Sequence, residues 1–237
     1  MRNIFWLSAV SLLWLFSCSP SPDKLFNEGV KALEAGDFEK AVSFLGRSVE
    51  ADDSQSRAWN AMGVAYFEQQ EWDRAIGAFD KAISLDSTSY KPFFNRGNAQ
   101  LEKKDFRNAV VDYNTASALD PNQTDIYYNR GLALLGMEAY EDALFEFDMA
   151  LQVNPNQAIV HFNKAKAQLG NNDPLGAMSS LTEVINLDKR NAAAFYLKGV
   201  TEMSAIGDRD GGCANLKMAL SLGYTAAKEW IDEFCAD

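Results

Sequence analysis

Large apolar, small and polar residues recur along this chain with a constant period. The segment "YYNRGLAL" begins at Tyr127, and related segments begin 34 residues before it, at Phe93, and 34 residues after it, at His161. The series continues at the same spacing to Trp59 and Phe195. Apolar residues within a unit lie three or four positions apart, which is the period of an amphipathic helix. This regularity predicts a stack of similar helical units.

The repeated unit has a defined order of residue sizes. In the best-matching units a large residue stands at position 4, a small one at 8 and a large one at 11, followed by alanine at 20, an aromatic residue at 24 and alanine at 27. Repeat two carries the whole pattern, at Trp59, Gly63, Tyr66, Ala75, Phe79 and Ala82. This pattern resembles the tetratricopeptide repeat (TPR), a helix–turn–helix unit of 34 residues. The resemblance implies an all-α fold, a right-handed α-solenoid of about six helix pairs followed by a C-terminal capping helix.

The repeats are expected to fill the chain from residue 22 to residue 224, with one extra residue in repeat six near "GDRDGG". Glycine or alanine at positions 8 and 20 is expected where the two helices of a repeat cross, because only a small residue lets the backbones approach. The predicted bounds are 22–55, 56–89, 90–123, 124–157, 158–191 and 192–224, then 225–237 for the cap. The cap is predicted by an apolar stripe at helical spacing, formed by Ala226, Ala227, Trp230, Ile231 and Phe234.

The N-terminal segment is unlike the repeats. Arg2 is followed by an apolar run over residues 4–16, which is shorter than the about 20 residues that a helix needs to span a bilayer. These features are typical of a secretory signal peptide, here residues 1–17. The sequence "LFSC", residues 15–18, resembles the bacterial lipobox, which implies that Cys18 becomes the lipid-bearing first residue of the mature chain. An ordinary signal peptide with an incidental cysteine is the alternative.

The expected location follows from the same resemblance. Residues 18–21 would form a short extended tether between the lipid on Cys18 and the repeats. Ser19 is not the aspartate that retains lipoproteins at the inner membrane in enterobacterial sorting. We therefore expect a lipid anchor in the outer membrane, with the repeat domain facing the periplasm.

The charge of the chain narrows the class of partner. The formal net charge is −11 and the calculated isoelectric point is about 4.6. Nucleic-acid-binding proteins normally carry a basic patch, and no cluster of Lys and Arg occurs here. We expect no nucleic-acid partner, and we expect the excess acidic residues on solvated helix faces.

Residues suited to catalysis or metal binding are sparse. The single histidine, His161, stands at position 4, where other repeats have leucine or an aromatic residue, so we expect it to pack rather than to bind a metal. The sequence "GDRDGG", residues 207–212, lacks the lysine and the preceding strand of a phosphate-binding loop. The carboxylates are scattered along the helices. We therefore expect no metal site, no cofactor and no enzymatic activity.

The resemblance also implies a binding surface, because the first helix of each TPR lines a concave groove with its positions 2, 5, 9, 12 and 13. Five of the six residues at position 5 are aromatic. The predicted groove residues are Phe26, Asn60, Phe94, Asn98, Tyr128, Leu132, Phe162, Lys166 and Tyr196. Exposed aromatic residues in a concave surface are common anchors for a partner segment. The alternative is that they only pack against the neighbouring repeat.

The expected function is therefore a lipid-anchored adaptor that binds a protein or peptide in this groove. A structural accessory subunit of an envelope assembly, secretion or pilus machine is the alternative. If the groove binds a partner, Phe94, Tyr128 and Phe162 are expected to contribute to affinity and little to stability. Asparagines at position 6, such as Asn129, are expected to hydrogen-bond backbone between repeats.

Two narrower features, a clamp for C-terminal carboxylates and a glycosylation signal, can be compared with this sequence. TPR domains that hold chaperone C-terminal carboxylates use lysine at position 5, where repeats one and three have Phe26 and Phe94, so such a clamp is not expected. The sequence "DST", residues 86–88, resembles an O-glycosylation signal of some bacteria. We expect an ordinary turn there, with glycosylation of Ser87 or Thr88 as the alternative.

Two cysteines remain near the C-terminus if Cys18 is lipidated. Cys213 and Cys235 lie 11 residues before and after Tyr224, where the turn into the cap is expected. At a rise of about 1.5 Å per residue, both have nearly the same height on neighbouring antiparallel helices. In an oxidising exported compartment, this arrangement predicts a structural disulfide. Two buried free thiols are the alternative.

Overall fold

The computed structural model describes residues 20–235. This part of the chain contains thirteen α-helices and no β-strand, which confirms the expected all-α solenoid. The predicted signal peptide, Cys18 and residues 236–237 lie outside the described residues. The helices are α1 (Pro22–Glu34), α2 (Phe38–Ala51), α3 (Ser56–Glu68), α4 (Trp72–Leu85), α5 (Tyr90–Glu102), α6 (Phe106–Leu119), α7 (Thr124–Gly136), α8 (Tyr140–Val153), α9 (Ala158–Gly170), α10 (Pro174–Leu187), α11 (Ala192–Thr201), α12 (Arg209–Ser221) and α13 (Ala227–Phe234).

Local sequence sets where these helices begin. The Ser21 side chain accepts a hydrogen bond from the Lys24 backbone N–H, and Pro22 occupies the first turn of α1. Asp37 caps α2 in the same way, by accepting from the Lys40 N–H. Both residue types satisfy a backbone donor that the helix itself leaves unpaired.

The turn between the two helices of a repeat uses a left-handed residue at position 15. Gly36 has φ 73°, and its counterparts in repeats two to five have φ between 57° and 61° although none is glycine. The N–H of Gly36 donates to the Leu33 carbonyl, and the next N–H, of Asp37, donates to the Ala32 carbonyl. These bonds satisfy carbonyls at the helix end and stabilise the unusual backbone. The non-glycine counterparts are Gln70, Lys104, Glu138 and Asn172.

The glycine at position 8 makes room for a side chain rather than for the other backbone. A Cβ added to Gly63 would lie 2.5 Å from the Phe79 ring, and one on Gly131 would lie 2.7 Å from the Phe147 ring. In these repeats the atoms nearest to position 8 therefore belong to the ring at position 24 and not to backbone. Backbone is among the nearest atoms in repeat six, where a Cβ on Gly199 would lie 2.8 Å from a backbone carbonyl oxygen, and in repeat one, where a Cβ on Gly29 would lie 3.3 Å from the Leu45 backbone nitrogen.

Successive repeats stack so that their first helices lie side by side. Each helix packs on the next one in the chain, and α1 also contacts α3, α3 contacts α5, α5 contacts α7 and α7 contacts α9. The second helices have no comparable contacts with each other among the described residues. The first helices therefore form the inner surface of the solenoid and the second helices form its outer surface.

Repeat six accommodates its extra residue in a π-helical turn. Helix α11 continues into this turn over residues 202–206, and the left-handed residue, Gly207, stands one place later than in the other repeats. Helix α12 consequently begins one place later as well, at Arg209. A single inserted residue is commonly absorbed by such a turn.

The cap closes the C-terminal end of the solenoid. Cys213 of α12 and Cys235, directly after α13, form a disulfide with 5.7 Å between their Cα atoms. Trp230 and Ile231 pack on the core of repeat six, and Ala227 is fully buried there. The expected apolar stripe is narrower than predicted, because Ala226 and Phe234 are exposed. No helix among residues 20–235 is long and apolar enough to cross a membrane.

Candidate partner-binding groove

The nine predicted groove residues all lie on first helices, on the inner surface. Eight of them are half-buried and Lys166 is exposed. The half-buried residues are Phe26, Asn60, Phe94, Asn98, Tyr128, Leu132, Phe162 and Tyr196. A row of half-buried apolar side chains at position 12, from Leu33 to Met203, runs beside them.

The aromatic residues at position 5 pack on the core as well as facing the groove. The Phe94 and Tyr113 ring centroids are 6.1 Å apart, and those of Tyr128 and Phe147 are 6.2 Å apart. Such tilted pairs stabilise a fold beyond the area that they bury. That Phe94, Tyr128 and Phe162 contribute little to stability stays a prediction, and the ring pairs of Phe94 and Tyr128 count against it.

Asparagines at position 6 link repeats three, four and five to the repeat before each of them. The side-chain N–H of Asn95 donates to Asn60 Oδ1 (3.0 Å), and that of Asn129 donates to Asn98 Oδ1 (2.9 Å). Asn163 donates to the Tyr128 hydroxyl (3.1 Å). The predicted link between repeats exists, but the acceptors are groove side chains and not backbone carbonyls of the neighbouring repeat.

These links fix the orientation of the groove residues. Asn98 Oδ1 also accepts a hydrogen bond from the Tyr113 hydroxyl (2.8 Å), so two donors hold it. Burial raises the pKa of the Tyr113 phenol. Burial also raises the pKa of Tyr128, and the hydrogen bond from Asn163 partly opposes that shift. Both hydroxyls are therefore neutral at physiological pH and can serve as donors.

A cavity of about 130 Å³ opens between the inner faces of repeats two and three. It combines apolar walls with amide groups and one carboxylate, and so has the mixed lining of a binding pocket. The lining residues are Val64, Phe67, Glu68, Phe79, Asn95 and Asn98.

A second set of links between repeats was not predicted. Arg130, at position 7, donates to Glu146 Oε2 (2.6 Å) in its own repeat and to Asn114 Oδ1 (2.9 Å) and Ser117 Oγ (2.9 Å) in the preceding one. Arg130 and Glu146 are both buried. A buried charge needs such partners, since removal from water is expensive.

The same link recurs in the neighbouring repeats. Arg96 bonds the buried carboxylate of Asp112 and also Asp80 of repeat two, and the Asp112 bond raises the pKa of Arg96. Lys164 pairs with Asp148 of repeat four. The signal in the sequence was a cation at position 7 with acidic or amide residues at positions 23 and 25, which sequence reasoning missed.

His161 follows the behaviour of its aromatic counterparts. Its Nε2 lies 3.0 Å from the Pro155 carbonyl oxygen, six residues earlier. The Tyr127 hydroxyl donates to the Pro121 carbonyl (2.8 Å) and the Trp59 indole N–H to the Asp53 carbonyl (2.9 Å) over the same separation. These contacts support the packing role predicted for His161.

Two further expectations concern chemistry on the surface. The side chain and the backbone N–H of Thr88 both donate to Asp86 Oδ1, which is the geometry of an ordinary turn. No group of three or more His, Cys, Asp or Glu side chains within residues 20–235 is arranged to hold a metal ion.

Comparison with known families agrees with the repeat pattern. A family model described as "Tetratricopeptide repeat" matches residues 26–90, and one described as "TPR repeat" matches residues 97–138. The chain belongs to the TPR family. No curated protein matches the sequence significantly.

Solved TPR structures share the fold at low identity. PilF of Pseudomonas aeruginosa superposes with a TM-score of 0.74 at 24% identity, over 90% of this chain and 97% of that one. YrrB, described as a TPR protein with an unusual peptide-binding site, has a TM-score of 0.69 at 22% identity, over 79% and 97% of the two chains. Cut9, in its hetero-tetramer with Hcn1, has a TM-score of 0.70 at 16% identity, over 91% of this chain and 43% of that one. These similarities establish the fold and do not identify the partner.

Proposed function

We propose that this TPR protein is a lipid-anchored periplasmic adaptor, and that it binds a segment of a partner protein in the groove of its first helices. The coarser part of this statement, a protein–protein interaction scaffold, follows from the TPR fold. The finer part rests on the inner surface, where half-buried apolar side chains recur on every first helix from α1 to α11.

The half-burial of these side chains is the observation that carries the proposal. A side chain such as Leu132 packs on the core of repeat four on one side and is accessible from the groove on the other. Covering such surface releases about 25 cal/mol per Å² of apolar area. The cavity beside Asn98 offers a place for one partner side chain. The similar fold of YrrB, which is described with a peptide-binding site, supports the use of this surface.

Site-specific photo-cross-linking tests the groove. A photoreactive amino acid is placed at Leu132, in the groove, and in a matched variant at Val111, which is 61% exposed on the outer helix α6. In native membranes, the Leu132 variant is expected to capture a defined partner that the Val111 variant does not. Capture of the same partner by the Val111 variant alone would contradict a groove-binding function.

The anchor has its own test. Cys18 stands where the apolar run ends, and Ser19 follows it. Cys18→Ser is expected to release a soluble protein or to leave an unprocessed precursor, whereas Ser19→Ala is expected to remain in the membrane fraction. A processed Cys18→Ser protein that still fractionates with the outer membrane would contradict the lipid anchor.

The outer surface supports the second candidate, a structural subunit of an envelope machine. Val111 and Phe145 stand at position 22 of successive repeats and are 61% and 63% exposed. Large exposed apolar residues that recur along one surface can form part of an interaction site. Cut9, which shares the fold, is found in a hetero-tetramer. Loss of the partner on Phe145→Asp, with binding retained on Leu132→Asp, would favour this candidate.

A further inference from the structure

Three glutamates at the same repeat position have no ion-pair partner among the described residues. Glu34, Glu68 and Glu102 stand at position 13, the last residue of α1, α3 and α5. All three are exposed, and none of them takes part in a salt bridge within residues 20–235. The nearest cation in sequence to Glu102 is Lys103, which pairs with Asp73 instead.

The helices themselves do not favour these carboxylates. The C-terminal end of a helix carries a partial negative charge, so an acidic residue there is disfavoured. The last turns of α3 and α5 contain no basic residue, and Lys31 in the last turn of α1 pairs with Glu28. The fold therefore gains nothing from these three side chains at position 13.

These carboxylates adjoin the apolar groove. Glu68 lines the cavity of about 130 Å³ together with the groove residues Val64 and Asn98. The repeat places Glu34 and Glu102 at the equivalent position of the neighbouring first helices. One wall of the groove is therefore apolar and its edge is negative.

At position 13, negative charge occurs only in the first three repeats. The same position holds Gly136, Gly170 and Ser204 in repeats four to six. The only charged residue predicted in the groove, Lys166, is exposed in repeat five and forms no salt bridge among the described residues. At position 13 the two halves of the groove thus differ in charge, because only the N-terminal half carries carboxylates there. At the other end of these helices, the Arg57 guanidinium lies over the Phe26 ring and is paired with Asp23, so the negative edge is the one formed by position 13.

We propose that the N-terminal half of the groove takes a basic amphipathic segment of the partner protein. Its apolar side chains would pack on Phe94 and the half-buried residues around it, and its Lys or Arg side chains would pair with Glu34, Glu68 and Glu102. This inference rests on the proposed groove function and names the chemistry of its ligand. Charge complementarity of this kind sets partner choice and association rate more than affinity.

Two synthetic probes test the inference on the full repeat domain. They are fluorescently labelled peptides with the same pattern of Leu and Phe, one with Lys at every charged position and the other with Glu. Fluorescence anisotropy is expected to show that the Lys peptide binds and that salt weakens it, because exposed charges are screened. Three exposed ion pairs predict that Glu34→Gln, Glu68→Gln and Glu102→Gln together weaken the Lys peptide roughly tenfold.

A matched control removes the same net charge elsewhere. Glu50, Glu141 and Glu183 are exposed residues of second helices, and their triple Gln variant is expected to bind the Lys peptide as the unmodified protein does. An equal loss in both triple variants would show unspecific attraction to an acidic protein and would overturn the inference. The groove variant is expected to be no less stable than the control, because it removes carboxylates from helix C-terminal ends.

The remaining outcomes separate this inference from the proposed function. If the Lys and Glu peptides bind equally well and Leu132→Asp abolishes both, the groove binds segments and its preference for basic ones is wrong. If neither peptide binds, the inference is overturned as well. A different result contradicts the proposed function, namely capture of the partner by the Val111 photo-cross-linking variant and not by the Leu132 variant.

Discussion

Repeats two to four and the last repeat present the same sequence positions to their neighbours, yet different contacts hold them. In the middle, an aromatic ring at position 24 fills the space above a glycine, as Phe147 does above Gly131. In repeat six the corresponding residue is Leu216, and the helices approach more closely at Gly199. Side-chain hydrogen bonds join the middle repeats to one another. At the C-terminal end, a disulfide and the stacked rings of Tyr196 and Tyr224, whose centroids are 4.6 Å apart, join repeat six to the cap and the turn before it.

The difference shows what a terminal repeat lacks. A middle repeat receives an asparagine and a cation from the repeat that follows it, such as Asn129 and Arg130 from repeat four. Repeat six is followed by α13 and not by another repeat. This short helix covers the apolar face of repeat six, and the disulfide holds it in place. Stability in such arrays comes from each repeat and from its interfaces, so a terminal repeat with one neighbour needs an additional constraint.

The largest loss of stability is expected from removing the ring that packs against the position-8 glycine of a middle repeat. Phe147→Ala removes a fully buried ring and is expected to lower the free energy of unfolding by about 3–5 kcal/mol. Leu216→Ala, at the end, is expected to lower mainly the free energy of opening repeat six and the cap, because terminal repeats can unfold separately. Urea unfolding followed by circular dichroism and by hydrogen exchange distinguishes the two. Equal global destabilisation by both variants would contradict the comparison.

Breaking the buried ion pair of repeat four should have the next largest effect. Glu146→Ala leaves the buried Arg130 guanidinium without a carboxylate and is expected to destabilise the protein by about 3 kcal/mol. Asp148→Ala removes the more exposed carboxylate paired with Lys164 and is expected to cost less than about 1 kcal/mol. Urea unfolding measures both. A similar small loss in the two variants would mean that the buried Arg130–Glu146 pair contributes no more to stability than the exposed pair of Lys164 and Asp148.

Removing the disulfide tests what holds the C-terminal end of the solenoid together. Replacing Cys213 and Cys235 by alanine opens a link between residues 22 apart and is expected to cost about 2–3 kcal/mol. The loss should appear as faster hydrogen exchange in α12 and α13, with α5 to α8 unchanged. Thiol labelling of the denatured, unreduced protein is the control, since two reactive thiols per chain would show that the bridge does not form.

The smallest effect is expected at the asparagine links. Asn129→Ala removes one side-chain bond between repeats three and four and should cost about 1 kcal/mol. Asn27, at the same position of repeat one, is exposed and has no preceding repeat to bond among the described residues, so Asn27→Ala should have almost no effect. Thermal unfolding of the two variants measures the difference. Equal losses would mean that the position matters for a reason other than the link.

Much of the fold could be predicted from the spacing of small and large residues along the chain. The period of 34 residues, with small residues at position 8 and large ones at 24, was sufficient to predict the all-α solenoid. The extra residue of repeat six was visible as a shift of phase between Gly199 and Leu216. Its π-helical form was not visible, because an inserted residue can equally lengthen a loop.

The groove was less accessible to sequence reasoning. The positions of its residues followed from the family resemblance, but the partners of Asn98 and Tyr128 depend on how one repeat rotates on the next. The same holds for Arg130, whose partners lie 13 and 16 residues away in sequence. The asparagine contacts join first helices of successive repeats, and the Arg130 contacts join a second helix to the first helix of the next repeat. No local pattern determines either pairing.

The sequence by itself determined the repeat, the number of helix pairs and the residues that each helix turns inward, because helical periodicity and residue size act locally. Tertiary structure alone decided that a ring rather than a backbone fills the space at Gly63, and that asparagines bond groove side chains. It also decided that Glu68 adjoins a cavity while its carboxylate stays unpaired. The physical reason is that these features depend on distances between stacked repeats, which packing sets over the whole solenoid.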